Sequence, residues 1–269
     1  MKAINVLSLG AGVQSTAVLL LAAEGSLPPL DAAIFADTGW EPKAVYEHLD
    51  RLEAEVARPA GIPIIRVSSG NIRNDALDAT HRFASMPVFV RNPDGSKGIT
   101  RRQCTSEYKL KPIKEAVRQL LGAKDRKDGK PGRVPRGRIA DQWIGISLDE
   151  VHRAKDSDVK YTRNVFPLLD LHWTREHCLD YLRRKGWGNT AKSACIGCPF
   201  HGNATWRRLR DEQPEEWADA VAFDAAIRNG SARANASGSP LRGQMFLHRS
   251  LVPLDIAPID HRTLSLIHI

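Results

Sequence analysis

Ile4-Asn5-Val6-Leu7-Ser8-Leu9-Gly10-Ala11-Gly12-Val13-Gln14-Ser15-Thr16 opens the chain with an apolar run that halts at two glycines and then takes up helical spacing. Ile4 to Leu9 carries the β-branched content of a buried strand. From about Gln14 a helix runs through Val18, Leu19 and Leu21 to Gly25, a stop ahead of Pro28 and Pro29. A glycine-rich turn between strand and helix lets backbone amides approach an anion closely, and the helix dipole adds favourable potential there. The turn therefore reads as a phosphate site, against the plainer reading of a turn used for packing. Two standard motifs are excluded by residues: no Gly-Lys-Ser/Thr follows, and Ser15 stands where a dinucleotide fingerprint has its third glycine.

Further along, Ala32 to Ala36 and Pro63 to Val67 repeat the apolar strand pattern. Between them Val45, Leu49, Leu52 and Val56 share one helical face, with Pro42 in the first turn. Gln142 to Ile146 reads as a further strand. This alternation predicts an α/β fold, a twisted parallel sheet with helices on both faces. After the Thr174 cap, Cys178, Leu179 and Leu182 line a helix ending near Gly186, with Cys178 read as core. Helices are also expected over Ala204 to Arg210 and Glu215 to Ile227, with Trp206 and Leu209 at core spacing beside Arg207, Arg208 and Arg210. The chain thus divides into a nucleotide-binding domain over 1–172, a small, mostly helical, cysteine-containing part over 173–228, and a linker and terminal segment over 229–263. Leu264 to Ile269 reads as a translated sequencing-adapter scar.

The 269 residues, 42% hydrophobic and 26% charged, fall in the globular range. No stretch of about 18 apolar residues predicts a membrane span, and Ser8, Gly10, Gly12 and Gln14 interrupt any signal-peptide core. A cytoplasmic location is expected, and four cysteines do not make a secreted disulfide scaffold. The net charge of +8 points to anionic partners. Two irregular basic stretches stand out: Arg91 to Arg102, expected as a hairpin tip or lid, and Gly122 to Arg138, expected as a loop.

A second chemical signal is Cys195-Ile196-Gly197-Cys198-Pro199-Phe200-His201. Two thiols two residues apart can bind one ion from a tight turn that Gly197 and Pro199 suit, or can form a redox pair.

Four segments carry a family resemblance. Gly10 to Ser15 resembles the PP-loop of ATP pyrophosphatases, which binds the pyrophosphate end of ATP. Phe35-Ala36-Asp37-Thr38-Gly39-Trp40-Glu41 resembles the next landmark of the phosphoadenosine phosphosulfate (PAPS) reductase branch. Arg101-Arg102-Gln103-Cys104-Thr105, with Lys109, Lys111 and Pro112, is similar to its cysteine-and-basic motif. Ile144-Gly145-Ile146-Ser147-Leu148-Asp149-Glu150, with Arg153, looks like its Gly-Ile-x-x-Asp-Glu segment. The landmarks occur in family order from Ile4 to Trp206, in the manner of similar phage and bacterial proteins.

The resemblance implies ATP or PAPS, with Mg2+, at Ser8, Gly10, Ala11, Gly12, Gln14, Ser15, Asp37, Thr38, Arg101, Arg102 and Lys109. It implies catalytic roles for Cys104, Asp149, Glu150 and Arg153. It also implies an iron-sulfur cluster, or alternatively Zn2+, held by Cys104, Cys195, Cys198 and His201. Two departures matter. Gly10 replaces the first serine of the loop, and Gln14 stands where many of these enzymes have aspartate, which removes a carboxylate from beside the metal. Val151-His152 also departs from the family's serine. Three functions follow. The first is AMP-forming activation coupled to sulfur transfer on tRNA or DNA with a sulfur donor. The second is thioredoxin-dependent reduction of PAPS or adenylylsulfate to sulfite. The third is a noncatalytic, metal-stabilised nucleotide or nucleic-acid binding module.

Overall fold

In the computed structural model, which describes residues 3–78, 80–81, 86–126, 132–190, 192–230 and 243–261, the opening apolar run becomes a strand at the middle of a parallel sheet. The adapter-like tail, most of the linker and Lys127 to Pro131 of the second basic stretch lie outside the described residues. The chain divides into two units: Met1–Asp37, Lys43–Ser69 and Tyr108–Ser193 form the first, and Thr38–Pro42, Gly70–Glu107 and Ala194–Ile269 the second. This differs from the division expected at residue 172, because the helix after Thr174 packs on the first helix of the chain and the basic hairpin pairs with a strand near the C-terminal end.

In the first unit, β1 (Ile4–Ser8), β2 (Ala32–Asp37) and β3 (Ile64–Ser68) are joined by β6 (Ala140–Ile144) and β7 (Thr162–Val165). Among the described residues these five strands run in the order β3-β2-β1-β6-β7, every neighbouring pair parallel. Strand side chains alternate between faces. Leu7, Ala33, Phe35 and Trp143 point to one layer, packing with residues of α1 (Val13–Ala23), α2 (Lys43–Leu52) and α6 (Arg175–Arg184). Val6, Ile34, Ala36 and Ala140 point to the other, against Ile113, Ala116, Val117 and Leu121 at α4 (Lys111–Leu120). The expected α/β sheet with helices on both faces is the observed one. The fourth expected strand lies two residues earlier than Gln142 to Ile146, and β7 and α4 were not anticipated. The α2 helix passes into a π-helical turn, Glu53–Ala57. Cys178 is fully buried and its thiol is pushed up to about 12 by burial, with the Asp149 charge adding to it, as suits a core residue.

Behind the opening turn, Thr16 on α1 bonds His48 Nε2 on α2 at 3.0 Å, and the His48 ring meets Trp187 edge-on. Burial, then the nearby Arg51 charge, lowers the His48 pKa to about 4.

The second unit contains α3 (Ile72–Leu77), a hairpin of β4 (Phe89–Arg91) and β5 (Lys97–Ile99), α7 (Asn203–Glu212) and α8 (Pro214–Ala226). Its strand β8 (Gln244–Phe246) adds antiparallel to β4, giving a small sheet ordered β5-β4-β8. The basic stretch after Arg91 is thus a hairpin, as its Asp94-Gly95 tip suggested, though it sits in a sheet. Trp206 and Leu209 on α7 are core, as their spacing predicted. Asp224 on α8 is 1% exposed; it accepts from the amides of Leu247 (2.7 Å) and Leu254 (3.0 Å) and pairs with Arg228. One buried carboxylate thereby ties the C-terminal segment to α8.

Two outcomes follow from these buried groups. Asp224→Ala removes the carboxylate partner of Arg228 and the acceptor of two amides and should cost about 3–5 kcal/mol in urea unfolding; a loss under 1 kcal/mol would show that the segment is held otherwise. Because His48 stays neutral in the fold while the unfolded chain protonates at its ordinary value, stability should fall as pH drops from 6.5 toward 4. His48→Gln should flatten that part of the pH–stability curve relative to the parent.

Candidate functional site

Parallel order fixes where a ligand can enter the first unit. From β1 the chain builds outward through β2 and β3 on one side and returns to β6 and β7 on the other, so β1 and β6 mark the reversal of direction. At such a switch point the connections after the two strands leave in opposite directions and open a crevice beyond their carboxyl ends. The segments found there are Gly10 to Ser15 after β1, and Gly145 to Arg153 after β6.

The first of these is a tight bend. Ala11 takes φ +52°, a left-handed conformation that costs a non-glycine residue about 1 kcal/mol. Gly12 then caps α1, and Ser15 Oγ accepts from the Gly12 amide at 3.3 Å while donating to its carbonyl at 3.2 Å. First-turn amides of a helix have no intrahelical acceptor, so those after Gly12 are disposed toward an anion. Ser8 takes a hydrogen bond from Gln142 Nε2 (2.8 Å) across the β1–β6 pair.

The second segment meets the first directly. A Cβ on Gly145 would lie 3.0 Å from the Ser15 nitrogen and 3.1 Å from the Gln14 carbonyl carbon, so only glycine lets the strand end approach this closely. Gln14 Nε2 donates to Glu150 Oε2 (3.1 Å) and to Ser147 Oγ (3.4 Å). Gln14 Oε1 accepts from Arg175 at the start of α6 (3.0 Å). Glu150 also pairs with Arg153 at 2.6 Å. Asp149 Oδ1 accepts from the Arg175 amide at 2.8 Å. Burial alone would raise the Asp149 carboxyl, but the bonds from the Arg175 amide and from Ser147 outweigh it and hold the pKa below the ordinary value. Asp149, Glu150 and Arg153 therefore stand beside the Gly10–Ser15 turn as one hydrogen-bonded group. Arg175 and Ser147 were not singled out from sequence, and no spacing rule links residue 175 to residue 14. Asp37, at the end of β2, accepts from Tyr46 Oη at 2.8 Å.

The cysteine turn belongs to the second unit. The Cys195 carbonyl accepts from the Cys198 amide (3.0 Å) and from His201 Nε2 (3.0 Å), and the Ile196 amide donates to the Trp40 carbonyl at 2.8 Å. A carbonyl only accepts, so His201 carries a proton on Nε2. The ring stands edge-on to Trp206. Gly197 lies under the Trp40 indole, where a Cβ would come within 2.2 Å of the ring. Thr38 is fully buried; its hydroxyl donates to Glu41 Oε1 (3.2 Å) and contacts Cys195 Sγ (3.2 Å). The Cys195 thiol also donates to Glu41 Oε1, at 3.8 Å. Thr38, expected at the nucleotide, is thus a partner of the cysteine turn.

Cys104 is half-buried at the head of a π-helical turn, Thr105–Leu110, which carries Lys109. Arg101 and Arg102 are exposed, with Arg102 over the Phe200 ring at 5.3 Å. Among the described residues, no group of three or more His, Cys, Asp or Glu side chains is arranged to hold a metal ion. The turn offers two thiols and one imidazole nitrogen, fewer converging donors than the four of a closed zinc or cluster site. Among the described residues no helix is long and apolar enough to cross a membrane.

No protein-family model matches the chain, and no curated protein matches it. Among solved structures the chain is similar to the U34-tRNA thiolase NcsA from Methanococcus maripaludis with its [4Fe-4S] cluster, at 12% identity, covering 84% of this chain and 72% of that one with a TM-score of 0.41. A likeness of that size carries no argument about chemistry.

Gly145→Ala tests the close approach of the two segments. The added methyl meets backbone atoms, so the Gly10–Ser15 turn must shift by a few tenths of an ångström, and a loss of about 1–3 kcal/mol in thermal unfolding is expected, as for other overpacked sites. Unchanged melting would show that the turn yields freely.

Proposed function

We propose that this protein is an AMP-forming, ATP-activating enzyme of the PP-loop type, in the PAPS reductase-like branch, that prepares an oxygen of a nucleic-acid acceptor for replacement by sulfur. The observation that carries the reading is the position of the Gly10–Ser15 bend at the β1/β6 switch point, hydrogen-bonded through Gln14 to Glu150 of the second family-like segment. Four landmarks in family order support it, and a net charge of +8 supports a polyanionic acceptor such as tRNA or DNA.

In this reading the bend's amides hold the polyphosphate while the acceptor oxygen attacks the α-phosphorus. The bond to pyrophosphate breaks, and AMP is carried on the acceptor until a sulfur nucleophile displaces it together with that oxygen. Fixed amide dipoles stabilise the charge that builds on the leaving pyrophosphate. The Cys195–Cys198 turn is the sulfur-handling element. Among the described residues the donors present do not complete a zinc or cluster site, so no step is routed through a metal.

Incubation of the full chain with α-labelled ATP, bulk tRNA or DNA, and sulfide as the sulfur nucleophile should release AMP and pyrophosphate in equal amounts, whereas omitting sulfide should leave AMP on the polymer; Cys195→Ser should abolish sulfur incorporation while leaving ATP binding intact. ADP as product, or sulfite release from PAPS with thioredoxin, would replace this reading. Nucleotide binding without turnover on either polymer would reduce the protein to a binding module.

A further inference from the structure

The Gln14 side chain shows which charge the phosphate turn expects. An amide can point either way, but a carboxylate only accepts and a guanidinium only donates. With Glu150 at one end and Arg175 at the other, the orientation is determined: Nε2 faces Glu150 and Oε1 faces Arg175. The Glu150 carboxylate is already matched by Arg153. The Arg175 guanidinium spends one donor on Gln14, and the residue is exposed.

Its main chain is anchored separately, by the bond from its amide to Asp149. Arg175 is moreover the first residue of α6, where a positive side chain opposes the helix dipole. The helix dipole therefore does not account for an arginine there; the Asp149 carboxylate attracts it from one side, and its exposed side leaves room for a second, anionic partner.

Resting on the nucleotide reading above, we propose that Arg175 is the phosphate-binding cation of the turn, and that ATP binding by this protein does not depend on a divalent metal. An ATP polyphosphate brought to the first turn of α1 lies beside a neutral Gln14, and the guanidinium bonded to that amide supplies fixed, planar donors suited to phosphate oxygens. In a site with a carboxylate at that position, a bridging cation would be needed to bring the two anions together. Gln14 removes that need and, through its carbonyl, holds the arginine instead.

The test is titration of the full chain with ATP and with adenosine, each in excess Mg2+ and in EDTA. Wild type should bind ATP in EDTA within about threefold of its affinity in Mg2+. Arg175→Ala should weaken ATP by about tenfold or more, as loss of a charge-assisted bidentate contact does. Arg175→Lys should recover part of that loss, and adenosine affinity and the melting temperature should stay at the wild-type values in both variants. ATP affinity unchanged by Arg175→Ala, or ATP bound only with Mg2+, would overturn the proposal and assign the counter-charge to a metal beside Glu150, with the nucleotide reading intact. A wild-type chain that takes up neither ATP nor adenosine would overturn that reading as well.

Discussion

Pairing of β1 with β6 is the constraint on which the candidate site depends. Five consecutive residues are matched, from Ile4 with Ala140 to Ser8 with Ile144. Side chains alternate between faces, so a slip of β6 by one residue against β1 would put Gln142 where Trp143 packs on the α1 side of the sheet and turn the indole to the other layer. The same register brings the two strands to an end together. Only then do Gly145 and Ser15 touch, and only then can Gln14 reach a carboxylate 136 residues away in the chain. The chemistry proposed for the turn is in this sense a property of the sheet.

The second unit solves a different problem, the burial of charge. Asp224 is satisfied by two amides and an arginine, and Glu41, 3% exposed, takes the Thr38 hydroxyl and lies near the Cys195 thiol. Trp40 and Phe223, with ring centroids 4.7 Å apart, wall the same region with apolar surface.

Much of this was legible in the chain. The strand–glycine–helix reading of Ile4 to Gly25 fell within two residues of β1 and α1, because apolar runs and glycine turns are local signals. The helix after Thr174 was readable for the same reason, as its cap bonds the His177 amide as a threonine cap should. What could not be read was pairing at a distance. The β7 strand, Thr162–Val165, is short, and only its parallel bonding to β6 makes it a strand. β8 exists by its pairing with β4, which also moved the basic hairpin out of the expected first domain. Thr38 looked like a nucleotide contact by its place in a motif, yet its burial commits it to Glu41 and Cys195. Arg175 lacked any signal, since its meaning arises from Gln14 across the fold.

The glycine between the two cysteines has an evolutionary consequence. With the indole of Trp40 filling the space a methyl would need at Gly197, neither residue is free to change alone. A larger residue at 197 demands a smaller one at 40, and an indole at 40 demands glycine at 197. The two positions should drift as a pair among descendants of this chain, so that the motif is better recognised by Cys195, Gly197 and Cys198 together with the distant Trp40 than by the cysteines alone, which recur in many unrelated turns.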